Sequence, residues 1–497
     1  MTARPAPAPR KPRPELRLFL ICWIVYALFV SPFPQSMALN MLDLATSIVD
    51  KQSLALDQYH GMDTARRGET YLSGLPPGGS FLAVPYFFLL RPLIRLFPKG
   101  HELLVLNTLL ALLAGGPATA LTAVLLFRFL RNFPCDERQR LLASVAFAFG
   151  TMAFGYAEGF YKKTFASLAL FLAFSLLYAN RGGGGDARGT PRRTFLAGLL
   201  CGSAFLLDYP TPLFSLVLFL YLLATPARRS APWFVLGAIP PLLLLGGYQY
   251  AAFGNPFYTS HAYAELTVAQ KFRPFSLPVL LDSWVGPFHG LFVYSPVLAL
   301  SVAGLFIGWK RDPGLRKELG AIAAFFLVNS ILVASLTYPW TGEVSLAARQ
   351  YLPSIPFLTI PLIYALAEST RRLFKILLAV SVFFSYLAAQ AGHIPTLPWP
   401  LVYTLKDFAS SFGTGAFFSE LLPRLLDLPT LHLFLASPEH RLEGLLGGAD
   451  SQWLPRLVAG QGIVLGINLA FFAAAAIPIL RLARPLLGVR RAGAART

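Results

Sequence analysis

Charge is what this sequence lacks most: of 497 residues only 13% are Asp, Glu, Lys or Arg, about half the share of a water-soluble domain. That shortage, beside 55% hydrophobic residues, excludes most soluble enzymes and leaves a polytopic membrane protein. Cysteine is nearly absent too. Cys22, Cys135 and Cys201 stand far apart, which excludes a disulfide framework or a cysteine metal site. Acids are scarce, 24 against 42 Lys and Arg, so the net charge is +18. No repeat at a fixed period is visible, which argues against an inverted-repeat transporter.

What the sequence has is a series of apolar runs long enough to be spans, separated by basic loops. Thirteen candidates occur, and the one at 79–97 is suspect because Pro85, Arg91, Pro92 and Arg95 interrupt it. Lys and Arg are retained on the cytoplasmic side, so the loops themselves decide the count. If 79–97 lies along the outer interface as an amphipathic helix, the alternation holds at every loop. Cytoplasmic segments then hold 24 Lys and Arg, external segments 14, and 17 of the 24 acids fall in or beside external segments. The expected fold is therefore all-α, with about 12 transmembrane helices and both termini cytoplasmic. Residues 1–16 read as a disordered basic arm, 17–392 as the transmembrane module with its first external loop at 34–101, 393–460 as an external helical cap, and 461–497 as the last span and a basic tail. The +18 thus describes orientation and argues against a nucleic-acid partner.

Chemistry concentrates on loops held by a rigid scaffold, and the outer loops are the long ones. In the first, Asn40, Asp43 and Ser47 recur at three- and four-residue spacing, which puts them on one helical face. A carboxylate there, close to low-dielectric lipid, is placed for a raised pKa and general-base work. Asp57 and Asp63 follow in the same loop, with Arg66 and Arg67 just beyond. The short loop 155–163 carries Tyr156, Glu158 and Lys162, and the loop at 339–350 carries Glu343 and Arg349, with Tyr351 two residues on. Asp208, Tyr209 and His261 are weaker candidates.

Several stretches together resemble the GT-C membrane glycosyltransferases, a superfamily that includes the protein O-mannosyltransferases and the lipid A aminoarabinose transferase. They are LALDQYHGMD at 54–63, GETYLS at 68–73, PPGGSFLAVP at 76–85, FGNPF at 253–257, GLFVYSPVL at 290–298 and WTGEVSLAARQYLPSIPF at 340–357. They cover the chain from about residue 16 to 370 and are most similar to an uncharacterised bacterial branch. The resemblance implies a bacterial inner-membrane enzyme with its active face outward, which takes a sugar from a polyprenyl-phosphate donor in the lipid. It implies transfer with inversion to a hydroxyl on a glycan, lipid or protein acceptor.

In this scheme Asp43, Asp57 or Asp63 serves as the base, and Arg349 takes the family's arginine position at the leaving phosphate. Tyr351 then donates a hydrogen bond to the phosphate and Glu343 pairs with the arginine; Tyr156, Glu158 and Lys162 line the cavity. Two departures stand out. Where the family carries an Asp-Glu pair, near Met37, this chain has no acid; and a lysine of the branch is missing before Pro76, leaving Arg66, Arg67 or Lys162 to replace it. The Asp-rich first loop could hold a divalent cation, but no tight ligand spacing demands one. A flippase or transporter of a lipid-linked substrate, or a GT-C-like protein without catalysis, remains as an alternative. The near absence of charge inside the spans weighs against a transporter, which places such groups at the midplane.

Overall fold

The computed structural model describes residues 14–30, 36–61, 63–98, 100–181, 189–263, 271–287, 290–337, 349–366 and 370–391. Glu343, the cap expected at 393–460 and the last span with its tail lie outside the described residues. The chain is mostly helical. It opens with α1 (Pro14–Leu28) and α2 (Ser36–Lys51), passes through an antiparallel hairpin of β1 (Thr64–Arg67) and β2 (Thr70–Ser73), and enters α3 (Gly78–Ile94). Among the described residues this hairpin, with Thr64 opposite Ser73, is the only sheet.

Four later helical stretches are long and apolar enough to cross a membrane: Glu102–Asn132, Lys162–Ala179, Pro226–Phe253 and Pro313–Ala334. Of the other described runs expected to span, those in Gly189–Leu207 and Arg371–Ala391 form helices of 19 and 21 residues, and the rest form shorter ones. Proline is one reason: the run at 290–309 is broken at Pro296 into three pieces, and the run at 351–368 carries Pro353, Pro356 and Pro361, which cut it into short turns. Helix α3 has 17 residues, about 26 Å of rise, short of a hydrocarbon core about 30 Å thick. Its Phe88 and Leu89 are 65% and 74% exposed, whereas Phe87 and Ile94 are buried.

Aromatic side chains fill the main core. Phe325 stacks on Phe357 at 4.0 Å between ring centroids and on Phe214 at 5.4 Å, and Phe174 closes on both Phe357 and Tyr221. Elsewhere glycine lets backbones meet. Helices Gly189–Leu207 and Ala231–Phe253 touch through Gly198 and Gly237, where a Cβ would run into the carbonyl oxygens of Phe234 and Phe195. Lipid tails are as apolar as leucine, so close packing of small residues replaces the hydrophobic effect at such an interface. A similar contact joins the first loop to the helical body. At the start of α3, a Cβ on Gly78 would meet the Leu206 carbonyl, and Arg91 farther along α3 pairs with Asp50 of α2.

Candidate active site

Helix α2 buries the polar stripe instead of solvating it. Asn40 and Asp43 are fully buried, and Ser47 nearly so. Asp43 Oδ2 accepts three consecutive backbone N–H bonds, from Asp57 (3.0 Å), Gln58 (2.9 Å) and Tyr59 (2.8 Å). Burial pushes its carboxyl above the ordinary 3.8, against the pull of those three donors. Asp43 therefore folds the loop that follows α2. Asn40 holds the other end of that loop, donating to the Asp63 carbonyl at 2.9 Å and accepting from the Ser73 hydroxyl.

Asp63 occupies the left-handed backbone region, with φ 67°, a conformation uncommon outside glycine and found where surrounding contacts impose it. The contacts here are the Asn40 amide and the Gly74 N–H on its carbonyl, and the Ser36 hydroxyl, which donates to its carboxylate at 3.1 Å. Its charge reaches Lys271, which is buried. Lys271 Nζ lies 2.8 Å from His261 Nδ1. Burial and the charges of Lys271 and Lys162 push His261 down to about 3, so its imidazole is neutral near pH 7 and Nδ1 accepts from the ammonium. Burial likewise pushes Lys271 down to about 8; Asp63 raises it and Lys162 lowers it further.

A chain of neutral groups fixes this pair. Gln249 donates to the Tyr209 hydroxyl at 2.7 Å, Tyr209 and Ser260 share a 2.8 Å hydrogen bond, and Ser260 donates to the Gly74 carbonyl at 3.0 Å. The Tyr209 ring meets His261 edge to face at 5.0 Å. The hairpin exit, the turn after Asp208 and the 260–261 turn are thereby one unit.

The second cluster grows from the loop before helix Lys162–Ala179. Helix Glu102–Asn132 carries a π-turn at Ala111–Gly115, a feature frequent at functional sites. A Cβ on Gly115 would collide with the Gly159 carbonyl, so glycine here lets the loop seat against the helix. The loop delivers buried Glu158 and, in the first helical turn, Lys162 and Lys163. Both ammoniums close on one buried carboxylate: Lys162 lies 3.3 Å from Asp208 Oδ1 and Lys163 2.6 Å from Asp208 Oδ2. Burial opposes a charge on Asp208, but the two lysines override it and hold the carboxyl below its ordinary value. Arg349 completes the group, its charge acting on Lys163 and on Tyr161. Its buried Nε has no hydrogen-bond partner among the described residues.

The structure thus gathers Asp63 and Lys162 with three groups that were weak or unremarked in the sequence, Asp208, His261 and Lys271, and places Arg349 near Lys163 and both Glu158 and Arg349 near Tyr161. Other expected site residues are engaged elsewhere. Asp57 is exposed and pairs with Lys51; Arg66 is exposed beside Glu69; Arg67 donates to the Ala252 carbonyl at 3.0 Å, capping a helix end. The Tyr351 hydroxyl, expected at the phosphate, sits instead among Ser283, Trp284 and Ser330 at 3.1 to 3.2 Å. Tyr156 is buried edge-on against Tyr161 at 4.9 Å. Lys271 had one signal in the sequence: it is one of two basic residues in an otherwise uncharged-to-acidic external segment, 253–288.

Apolar helices around a buried cluster of cations and carboxylates make this a membrane protein, and its fold is similar to that of a solved membrane protein. The particular likeness is to the crystal structure of ArnT from Cupriavidus metallidurans bound to undecaprenyl phosphate. It has a TM-score of 0.52 at 13% identity over 95% of this chain and 77% of that one. The archaeal oligosaccharyltransferase AglB from Archaeoglobus fulgidus, in complex with an inhibitory peptide and a dolichol-phosphate, gives 0.42 at 12% identity over 89% of this chain and 57% of its own. At such identity the likeness is one of fold. No protein-family model matches the sequence, and no curated protein matches it.

Proposed function

We propose that this protein transfers a sugar from a polyprenyl-phosphate donor to an acceptor hydroxyl at the outer face of a bacterial cytoplasmic membrane. The observation that carries the reading is the gathering of Lys162, Lys163, Lys271 and Arg349 around few carboxylates at one buried site. A leaving phosphate develops negative charge as its bond to the anomeric carbon breaks, and fixed cations in a dry site stabilise it strongly. The acceptor oxygen attacks that carbon from the opposite side, the sugar inverts, and the phosphate leaves with the bonding electrons. Asp63 takes the acceptor proton: its carboxylate is held by Ser36, one residue from Met37, where the related enzymes keep their acids. Asp43 shapes the loop in this scheme, and α3 lies in the outer lipid surface beside the donor's entry.

The test uses purified protein in lipid discs with radiolabelled polyprenyl-phosphate sugars, following release of polyprenyl phosphate. Asp63→Asn is expected to lower kcat at least about 100-fold, the span of general-base contributions. Full activity of that variant sinks the base assignment. Lipid translocation without turnover for any donor sinks the transferase reading.

A further inference from the structure

Two lysines in the first turn of a helix are an unfavourable arrangement, since the helix dipole puts positive potential at that end and the two ammoniums repel. Here both are almost fully buried, so one would expect each to have its own counter-ion. They share one. Asp208 accepts Lys162 on one carboxylate oxygen and Lys163 on the other, and the two contacts are unequal, 3.3 Å against 2.6 Å. The backbone of Asp208 is held in place. Its N–H is bonded to the Ala204 carbonyl at 2.8 Å, and its carbonyl accepts both the N–H and the hydroxyl of Thr211, which fixes the corner between helices Gly189–Leu207 and Thr211–Leu223.

The surroundings of the two lysines also differ. Lys162 acts electrostatically on His261 and Lys271, and so faces the cluster that includes Asp63. Lys163 keeps the short contact with Asp208, with Arg349 as its neighbour. We infer that Asp208 is a positioning residue that stands in for the lipid phosphate in the resting site: it anchors Lys163 permanently and lends Lys162, by the longer contact, to an arriving phosphate. This deepens the proposed transferase reading and rests on it. When the phosphate product forms, Asp208 competes with it for Lys162 and thereby speeds its release. Asp208 touches no reacting atom in this scheme; it sets how tightly the cations hold the product.

A structural counter-ion and a competitor give opposite results when neutralised. Binding of undecaprenyl phosphate, with undecaprenol as the control lacking phosphate, is measured in lipid discs by equilibrium titration, alongside thermal unfolding. Asp208→Asn is expected to bind undecaprenyl phosphate about tenfold more tightly than wild type and, in turnover, to lower kcat and KM together. The double variant Lys163→Met with Asp208→Asn removes the buried pair while leaving Lys162 free, and is expected to bind tightly as well. Lys162→Met is expected to bind about tenfold more weakly. Unchanged or weaker binding by a double variant that unfolds at the wild-type temperature overturns the competitor role. Absence of undecaprenyl phosphate binding by wild-type protein overturns the transferase reading, and this inference with it.

Discussion

At the residue scale the chemistry is set by burial. Lys271 is protonated below about 8 and neutral above it, so a reaction that needs its charge loses rate as pH rises through that value. Lys271→Arg keeps the charge at every accessible pH. The basic limb of the kcat/KM profile is expected to move up by at least one unit in this variant, even where the maximal rate falls; an unmoved limb assigns it to another group. Asp43 has the opposite use. Its folded pKa is raised above 3.8, so its contribution to stability is fully present below the unfolded value and is lost as pH rises through the folded one. Asp43→Asn still offers an oxygen to the three N–H donors but does not titrate. The slope of unfolding temperature against pH just above 3.8 is expected to flatten relative to wild type, read by thermal unfolding in detergent.

The sequence showed the acids better than the cations. Asp43 could be found because Asn40, Asp43 and Ser47 repeat at helical spacing, a local pattern. Lys271, His261 and Asp208 carry no such pattern: each acquires meaning from a contact across a turn or between helices, as Lys162 and Lys163 do with Asp208 some 45 residues away. Arg67 misled for the same reason, since its partner, the Ala252 carbonyl, is 185 residues distant.

At the element scale, apolar runs gave most of the helices, but the run at 79–97, suspect for its prolines, forms a continuous helix through Pro85 and Pro92. Span lengths were less legible. A run of apolar residues reports burial in lipid or protein alike, and prolines such as Pro296 cut some runs into pieces that no hydropathy window separates. Helix contact was hidden as well, because Gly198 and Gly237 look like any glycines until their helices are placed side by side. Gly237→Val forces a branched side chain against the Phe195 carbonyl and is expected to cost about 1–3 kcal/mol, the range for overpacking. Thermal unfolding of the detergent-solubilised variant measures it; an unchanged midpoint refutes the close contact.

At the scale of the whole molecule the orientation rests on charge alone, and Cys135 reports on it. The thiol is half-buried, bonded to the Leu130 carbonyl at 3.2 Å, and burial raises it to about 11, so labelling is run at alkaline pH. With Cys22 and Cys201 replaced, an impermeant maleimide is expected to modify inverted vesicles and spare sealed cells. The reverse pattern inverts the map.

The glycine contact at the head of α3 has a consequence for the seat of Asp208. Gly78 touches the backbone at Leu206, two residues before Asp208, while ten residues along the same helix Phe88 and Leu89 are exposed. The same helix is tied to the lysine corner at its head and to α2 farther along, through Arg91 and the buried Ile94. Any shift of α3 along its axis is therefore passed straight to the backbone that seats Asp208, with no side chain between them to absorb it.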